Sequence, residues 1–240
     1  APSLSAHAAL AVGAGLVELV APRIHPLTPR EVMPTEVNAC SDGTIDPSEA
    51  DRIGTLMERA SVIVIGPGLG SNTDTLHMLA DRLRHHVHRV PIVVDADGVR
   101  LMPMLDVRSS SIIVTPHLGE LRRWQGSDCE QPGEDACAMA ERIAHNEGVT
   151  LHLKVVPAVT TDGKRTALTV NGSPILGTAG SGDVLSGIIG GLLAQGVSSL
   201  DAVSLASYLH AEAGSRLRSH GRHSILAGEI IPEVTRIMAR

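Results

Sequence analysis

Residues 61–70 read SVIVIGPGLG, an unbroken apolar run that stops at a cluster of glycines. Two further apolar runs, PIVVD at 91–95 and SIIVT at 111–115, also end in loop-forming or polar residues. A strand that is apolar at every position is typical of a parallel sheet covered on both faces, whereas a strand with one face in water alternates. The three runs therefore predict the centre of a buried parallel sheet.

Helical patterns alternate with these strands, and this order is the signature of an α/β layer protein with helices flanking a central, mostly parallel sheet. Residues 22–50 contain five prolines and predict a surface connection with one short helix. The residues 162–164 (Asp-Gly-Lys) predict a hairpin between short β-segments of 149–170. Helices are predicted over 3–12, 51–60, 72–88, from 119, and over 134–147, 183–195, 199–218 and 227–239, with one more strand over 15–21.

The composition bounds the possible functions. At 240 residues the chain predicts one domain, and 43% hydrophobic residues suffice for a core. The 20 Lys and Arg against 26 Asp and Glu give a net charge of −6, and aromatic residues make up 1%, so we expect no nucleic-acid partner. No apolar run approaches the roughly 20 residues of a membrane span. Three scattered cysteines predict a reducing, cytoplasmic location, and a first residue other than Met predicts a processed chain or part of a longer product.

The segment Thr178–Gly187, TAGSGDVLSG, joins a loop of small residues directly to an apolar helix. Glycines let main-chain N–H groups approach a ligand, and a helix N-terminus favours negative charge. This arrangement can hold phosphate in a protein of net negative charge. The alternative, that Asp183 only caps the helix, explains the aspartate but not the small residues before it.

Three other loops follow predicted strands: Gly66–Gly70, Asp95–Asp97 and Thr115–Glu120. Taken singly they are weak, since a glycine turn, a helix-capping aspartate and a structural histidine would produce the same residues. Neither the G-x-G-x-x-G fingerprint nor a P-loop is present. In open α/β sheets, however, ligands bind outside the carboxyl ends of the strands, so the loops together predict one binding edge.

The strings IGPGLG, DAD, TPHLGE and TAGSGDVLSGIIGGLLAQG, in this order, resemble the ADP/ATP-dependent NAD(P)H-hydrate dehydratases of the ribokinase-like superfamily. The similarity runs from AALAVGAGLV near the start to the last helix. It implies a three-layer ribokinase-like fold formed by residues 1–240 as a single domain. It also implies that the first strand of the family, with its small-residue loop, would precede residue 1.

The resemblance implies a lyase that repairs a damaged cofactor. Such an enzyme uses ADP or ATP, with Mg²⁺, to phosphorylate the ring hydroxyl of the S-form of NADH or NADPH hydrate, and phosphate then leaves as the ring double bond is restored. Asp183 would be the base that takes the hydroxyl proton. The amides of Gly180, Ser181 and Gly182 would form the anion hole for the transferred phosphoryl group.

The remaining site residues are also implied by the resemblance. The hydrate would be contacted by Ala1, Gly68, His117 and Asp183. The residues that line the adenine-nucleotide site would be Lys154, Val155, Val156, Pro157 and Ala158. Glu120 would contact Mg²⁺ indirectly, through one of the ligands bound to the ion. The chain departs from the family by Lys154-Val155-Val156 in place of Lys-Gly-Ala and by TPHLGE in place of TPHPGE.

Two alternative functions fit the same motifs. A kinase for a vitamin precursor or sugar also needs an aspartate base and an anion hole. A nucleotide-binding regulatory protein without turnover would fit the altered segment after Lys154. The resemblance further implies a homo-oligomer, with a tetramer as one form, and leaves ADP against ATP and NADH hydrate against NADPH hydrate open.

Overall fold

The computed structural model describes residues 1–131 and 133–239, in which helices and strands alternate as the sequence predicts. The strands are β1 (Glu18–Ala21), β2 (Met33–Glu36), β3 (Ile63–Ile65), β4 (Ile92–Val94), β5 (Ile112–Val114), β6 (Thr150–Leu153), β7 (Ala158–Thr161) and β8 (Thr166–Thr169). The helices are α1 (Pro2–Ala11), α2 (Ala50–Arg59), α3 (Thr73–Arg84), α4 (Met102–Leu105), α5 (Leu118–Gln125), α6 (Ala136–Glu147), α7 (Ser181–Ala194), α8 (Ser199–Ser219) and α9 (Ile230–Met238). Within the described ranges no helix is long and apolar enough to cross a membrane.

The central sheet has six strands in the order β3-β4-β5-β6-β7-β8. The first four run parallel to one another, and β7 and β8 are antiparallel additions at one end. Thr161 pairs with Thr166, which confirms the predicted hairpin. The strands β1 and β2 form a separate parallel pair. The predicted mostly parallel α/β sheet is therefore confirmed.

Consecutive residues of the central strands pack into different cores, which explains why the strands are apolar throughout. Ile92 and Val94 of β4 join a cluster with α2, α3 and α6. Val93, between them, packs into a second cluster with α1, α7, α8 and α9. Because strand side chains alternate between the two faces, each face receives its own helical layer. The result is the expected three-layer architecture.

The segment 22–50 differs from the prediction. It contains the expected short helix, a 3-10 turn at Pro47–Glu49, but also the strand β2. The sequence of β2 is Met-Pro-Thr-Glu and its side chains are mainly exposed, so the apolar run that marks a buried strand is missing. An edge strand of this kind tolerates proline, and sequence pattern alone does not find it.

Glycines on α7 let α1 pack against it at close range. A methyl group added at Gly187 would overlap the main-chain carbonyl oxygen of Ser5 and lie 2.9 Å from Ala8 Cβ. One turn on, a methyl group at Gly191 would lie 2.6 Å from Ala9 O. The backbones of the two helices are therefore in direct contact, and this contact fixes the position of α1 relative to α7.

We predict that Gly187→Ala lowers the free energy of unfolding by about 1–3 kcal/mol, because the added methyl group overlaps main-chain atoms that cannot move independently. Alanine is otherwise favoured over glycine in a helix by about 1 kcal/mol. The matched control is Gly54→Ala on α2, where the nearest atom to the new methyl is 3.5 Å away and the variant should be stabilised. Urea unfolding measures both, and a Gly187→Ala protein as stable as Gly54→Ala would contradict the close approach.

Candidate active site

The loops after β3, β4, β5 and β6 lie at one edge of the sheet, because these strands run parallel. They begin at Gly66, Asp95, Thr115 and Lys154 respectively. The Lys154 N–H donates to the carbonyl of Pro116 at 2.9 Å, which ties the last loop to the third. The predicted binding edge is therefore present, with Lys154 as a further member.

The first two loops are locked together by close main-chain contact. Gly66 has φ of +123°, and a methyl group there would overlap the carbonyl oxygen of Asp95. The Asp97 carboxylate accepts a hydrogen bond from the Gly70 N–H at 3.0 Å. Between the two aspartates, Ala96 has φ of +49°, a left-handed conformation that is costly for alanine. Backbone strain of this kind is concentrated at functional sites.

Asp95 forms a buried ion pair with Lys154. The side chain of Asp95 is 1% exposed, and its Oδ1 accepts from Lys154 Nζ at 2.5 Å and from Thr115 Oγ1 at 2.8 Å. The interpretation of Asp95 as only a helix cap is wrong, because its side chain makes no capping hydrogen bond to the 3-10 turn that follows. The carboxylate instead holds the ammonium group at the edge of the sheet.

The glycine turn before α7 meets this ion pair. Gly180 precedes the helix in a left-handed conformation, with φ of +88°. A methyl group at Gly182 would lie 3.2 Å from Lys154 Nζ and 3.7 Å from Asp95 Oδ2. The helix N-terminus and the ammonium group therefore face the same small volume, where both favour an anion.

The amides available for an anion differ from the predicted set by one residue. Within the described chain, the N–H groups of Gly180, Gly182 and Asp183 have no protein acceptor. The Ser181 N–H already donates to the carbonyl of Thr178 at 3.2 Å, and the Ser181 hydroxyl lies 2.9 Å from His210 Nε2. The Ser181 amide is therefore already engaged, whereas the amide of Asp183 is free, and contact of these amides with a phosphoryl group stays a prediction.

Asp183 lies in the first turn of α7 and is half-buried. Burial raises the pKa of its carboxyl group, and the charge of Asp95 also raises it, whereas the positive charges of the Ala1 amino group and of Lys154 lower it. In the described residues the carboxylate accepts no hydrogen bond, so the capping alternative lacks support. A carboxylate with a raised pKa and free oxygens is suited to act as a general base.

Ala1 and Gly68 lie together beside the glycine turn. A methyl group at Gly68 would lie 3.5 Å from Ala1 Cβ, and one at Gly180 would lie 2.7 Å from Leu4 Cδ1. The first turn of α1 therefore lies between the loop that begins at Gly66 and the glycine turn that ends at Gly180. Contact of Ala1 and Gly68 with a substrate stays a prediction.

His117 and Glu120 cap α5. His117 Nδ1 accepts from the N–H groups of Gly119 and Glu120 at 2.9 and 3.2 Å, and the Glu120 carboxylate accepts from the His117 N–H at 2.9 Å. The ring of His117 is 54% exposed, so a ligand can still reach it. Contact of His117 with the hydrate stays a prediction.

The described residues contain no cluster of three or more His, Cys, Asp or Glu side chains that could hold a metal. Both oxygens of Glu120 face His117, at 2.9 Å from its main-chain nitrogen and 3.4 Å from its Nε2. Mg²⁺ needs only one or two carboxylates when phosphate oxygens and water complete its shell. A bound nucleotide would therefore have to bring most of the ligands.

Val155, Val156 and Pro157 lie in the turn between β6 and β7, and Ala158 is the first residue of β7. Val156, where the family has a small residue, is 91% exposed, so its side chain extends into solvent and not into the sheet. The turn starts immediately after Lys154 at the binding edge. Its contact with a nucleotide stays a prediction.

Two histidines near Lys154, one buried and one half-buried, were not predicted from the sequence. His152 is 2% exposed, lies 2.8 Å from Thr160 Oγ1, and burial with the nearby charge of Lys154 lowers its pKa to about 3. Burial also lowers the pKa of His210 to about 4. The position of His152 in a strand, two residues before Lys154, was a signal that could have been used. For His210, in the middle of α8, the sequence carries none.

A cavity of about 750 Å³ lies beside β3, between α1, α2 and β1. Gly68 and Pro2 line it, whereas Asp183 and Lys154 do not. The charged groups that could perform chemistry therefore lie outside this largely apolar cavity, at the edge of the sheet.

The fold and this edge define a ribokinase-like protein. A ribokinase-like superfamily protein of Enterococcus faecalis superposes with a TM-score of 0.84 at 26% identity, covering 99% of this chain and 81% of that one. The ADP/ATP-dependent NAD(P)H-hydrate dehydratase of Bacillus subtilis superposes with a TM-score of 0.77 at 23% identity, covering 100% and 86%.

A family model described as NAD(P)H-hydrate dehydratase matches residues 1–236, so the chain belongs to that family. The chain is 32% identical to the ADP-dependent (S)-NAD(P)H-hydrate dehydratase of Cenarchaeum symbiosum, over 98% of this chain and 83% of that one. It is 33% identical to the bifunctional NAD(P)H-hydrate repair enzyme Nnr of Moorella thermoacetica, over 95% of this chain and 45% of that one. The chain thus spans about half the length of the bifunctional relatives that it matches.

We predict that Lys154→Met lowers the free energy of unfolding by about 1–3 kcal/mol, because it leaves the buried Asp95 carboxylate with Thr115 as its single partner. The magnitude is moderated because the Lys154 side chain is 23% exposed. Asp95→Asn in the Lys154→Met background should recover part of the loss, since it removes the unpaired charge. Urea unfolding of the two single variants and the double variant measures the coupling, and additive effects would show that the pair does not interact.

Proposed function

We propose that this chain catalyses the nucleotide-dependent dehydration of the S-form of NADH or NADPH hydrate to NADH or NADPH. The observation that carries the proposal is the juxtaposition of a half-buried carboxylate of raised pKa, Asp183, with free amides at the start of α7 and the ammonium of Lys154. This is the set of groups that phosphoryl transfer to an alcohol requires. Family membership and the names of the relatives support the choice of alcohol.

In the proposed reaction Asp183 accepts the proton of the ring hydroxyl as its oxygen attacks the terminal phosphorus of the nucleotide. The bond between that phosphorus and the bridging oxygen breaks, and the shortened nucleotide leaves. The carbon–oxygen bond of the phosphorylated hydrate then breaks, phosphate departs, and loss of a proton from the neighbouring carbon restores the double bond. The water removed from the hydrate thus ends up in the inorganic phosphate.

The amides of Gly180, Gly182 and Asp183 would stabilise the charge on the phosphoryl oxygens during transfer. Donors fixed in this way contribute about 10²–10³-fold each to the rate, because they need no reorganisation as the charge develops. Lys154, held by Asp95, would neutralise further charge on the nucleotide phosphates. The segment Val155–Ala158 would line the nucleotide, with Ala1, Gly68 and His117 against the hydrate.

ADP or ATP is proposed as the co-substrate, since one relative is named ADP-dependent and the Bacillus subtilis enzyme was co-crystallised with ATP and Mg²⁺. Mg²⁺ would bind mainly through the nucleotide, with Glu120 as an outer ligand, and would supply charge neutralisation. A cytoplasmic location, a homo-oligomeric assembly and a single domain over residues 1–240 remain predictions of the sequence.

We predict that Asp183→Asn reduces kcat/KM for the hydrate by about 10²–10⁴-fold, since asparagine cannot accept the hydroxyl proton. The assay follows the return of reduced-cofactor absorbance with Mg²⁺ and ADP or ATP. The matched control is Asp81→Asn on α3, an exposed aspartate 3.7 Å from Arg84, which should leave kcat/KM unchanged. Equal activity of Asp183→Asn and the parent would refute the assignment.

Because the pKa of Asp183 is raised, Asp183→Asn should also change the pH dependence of stability. A carboxyl group whose pKa is higher in the folded state binds its proton more tightly when folded, so its ionisation destabilises the fold as the pH rises past that pKa. Asp183→Asn should therefore unfold at a higher urea concentration than the parent at neutral pH, with the difference shrinking as the pH falls. For the same reason, the acid limb of kcat/KM should lie above the pH at which an ordinary aspartate titrates.

A further inference from the structure

His210 contacts the start of α7 from the neighbouring helix. Its Nε2 lies 2.9 Å from Ser181 Oγ and 3.1 Å from the main-chain oxygen of Ser181. Ser181 is the first residue of α7 and stands between the two glycines of the anion hole. Together with the bond from its N–H to Thr178, Ser181 is therefore held through its amide, its carbonyl and its hydroxyl.

The contact at the carbonyl has a direct consequence for Gly182. The carbonyl of Ser181 and the N–H of Gly182 belong to one planar trans peptide unit, in which the two groups point in opposite directions. As the first residue of α7, Ser181 has its carbonyl directed along the helix, and His210 holds the same peptide unit from the side of α8. This second contact fixes the Gly182 N–H where it leaves the helix N-terminus. Lys154 Nζ lies beside Gly182 and shows that the charged part of the site is near this amide.

The protonation state of His210 is compatible with this task. A hydrogen bond to the carbonyl requires the tautomer with the ring hydrogen on Nε2, because a carbonyl oxygen can only accept. Burial lowers the pKa of His210 to about 4; the hydrogen bond to Ser181 opposes this shift, and the charge of Lys154 adds to it. The ring is therefore neutral across the physiological range and adds no charge to the anion site.

We propose that His210 is a positioning residue that directs the Gly182 amide at the phosphoryl group by holding the carbonyl of Ser181. The inference rests on the proposed function for its kinetic part. Its structural part, that His210 orients the Gly182 amide towards a bound anion, does not depend on which substrate the protein uses.

Two variants separate this role from general packing. His210→Leu removes the donor, whereas His210→Gln carries an amide N–H at the end of its side chain, at the position of Nε2. We expect His210→Leu to lower kcat about 10–100-fold with KM for the hydrate within about threefold, because the amide acts on the transition state. His210→Gln should keep kcat within about threefold of the parent.

A second readout needs no turnover. In the full chain, the amide resonance of Gly182 should shift when inorganic phosphate is added to the parent and to His210→Gln, and the shift should be lost in His210→Leu. Should His210→Leu fail to fold, His210→Asn replaces it, since the shorter side chain cannot reach the Ser181 oxygen.

The outcomes are distinguishable. The proposal is overturned if the donor-free variant matches the parent in both kcat and the phosphate-induced shift, or if His210→Gln is as impaired as His210→Leu. If the parent shows the phosphate response, and His210→Leu loses it, but the parent does not convert the hydrate, the proposed function fails and the positioning role of His210 stands.

Discussion

The site depends on one contact, the approach of the Lys154 ammonium to the side of α7 where Gly182 has no side chain. Asp95 keeps the ammonium there, and Asp95 itself is buried and held by Thr115. A methyl group at position 182 would lie 3.2 Å from the ammonium group, so the lysine would have to move slightly, and a longer side chain would displace it further. The glycine thus lets a cation and a helix N-terminus face the same small volume.

This arrangement resolves an apparent conflict between the charge of the protein and the anionic ligands proposed for it. With a net charge of −6, the whole molecule does not attract anions. The attraction must be local, and the groups that supply it, free amides and one ammonium, are fixed before a ligand arrives. Donors fixed in advance are also the most effective in catalysis, because the protein does not reorganise when charge develops.

Much of the fold could be predicted because its central strands are apolar on both faces. This pattern can be recognised in the sequence of each strand without knowing which helices pack on it. The strand β2 was missed since its stability comes from pairing with β1 and not from burial. In the site, the glycine turn was predictable from composition, but capping remained an alternative for Asp95 because its partner Lys154 is 59 residues away in sequence. The occupied amide of Ser181 and the role of His210 depend on hydrogen-bond directions, which no local pattern encodes.

Two carboxylates lie near the same lysine, and their surroundings assign them different roles. Asp95 is committed, since one oxygen accepts from both Lys154 and Thr115 in a site closed to water. A proton on Asp95 would remove the negative charge that pairs with the ammonium group, so proton transfer to Asp95 would break the ion pair. Asp183 has no such partner within the described residues, is only half-buried, and has its pKa raised by burial and by the charge of Asp95. Asp95 thus contributes indirectly by making its neighbour the stronger base, which is how one cation and two acids can divide binding and proton transfer between them.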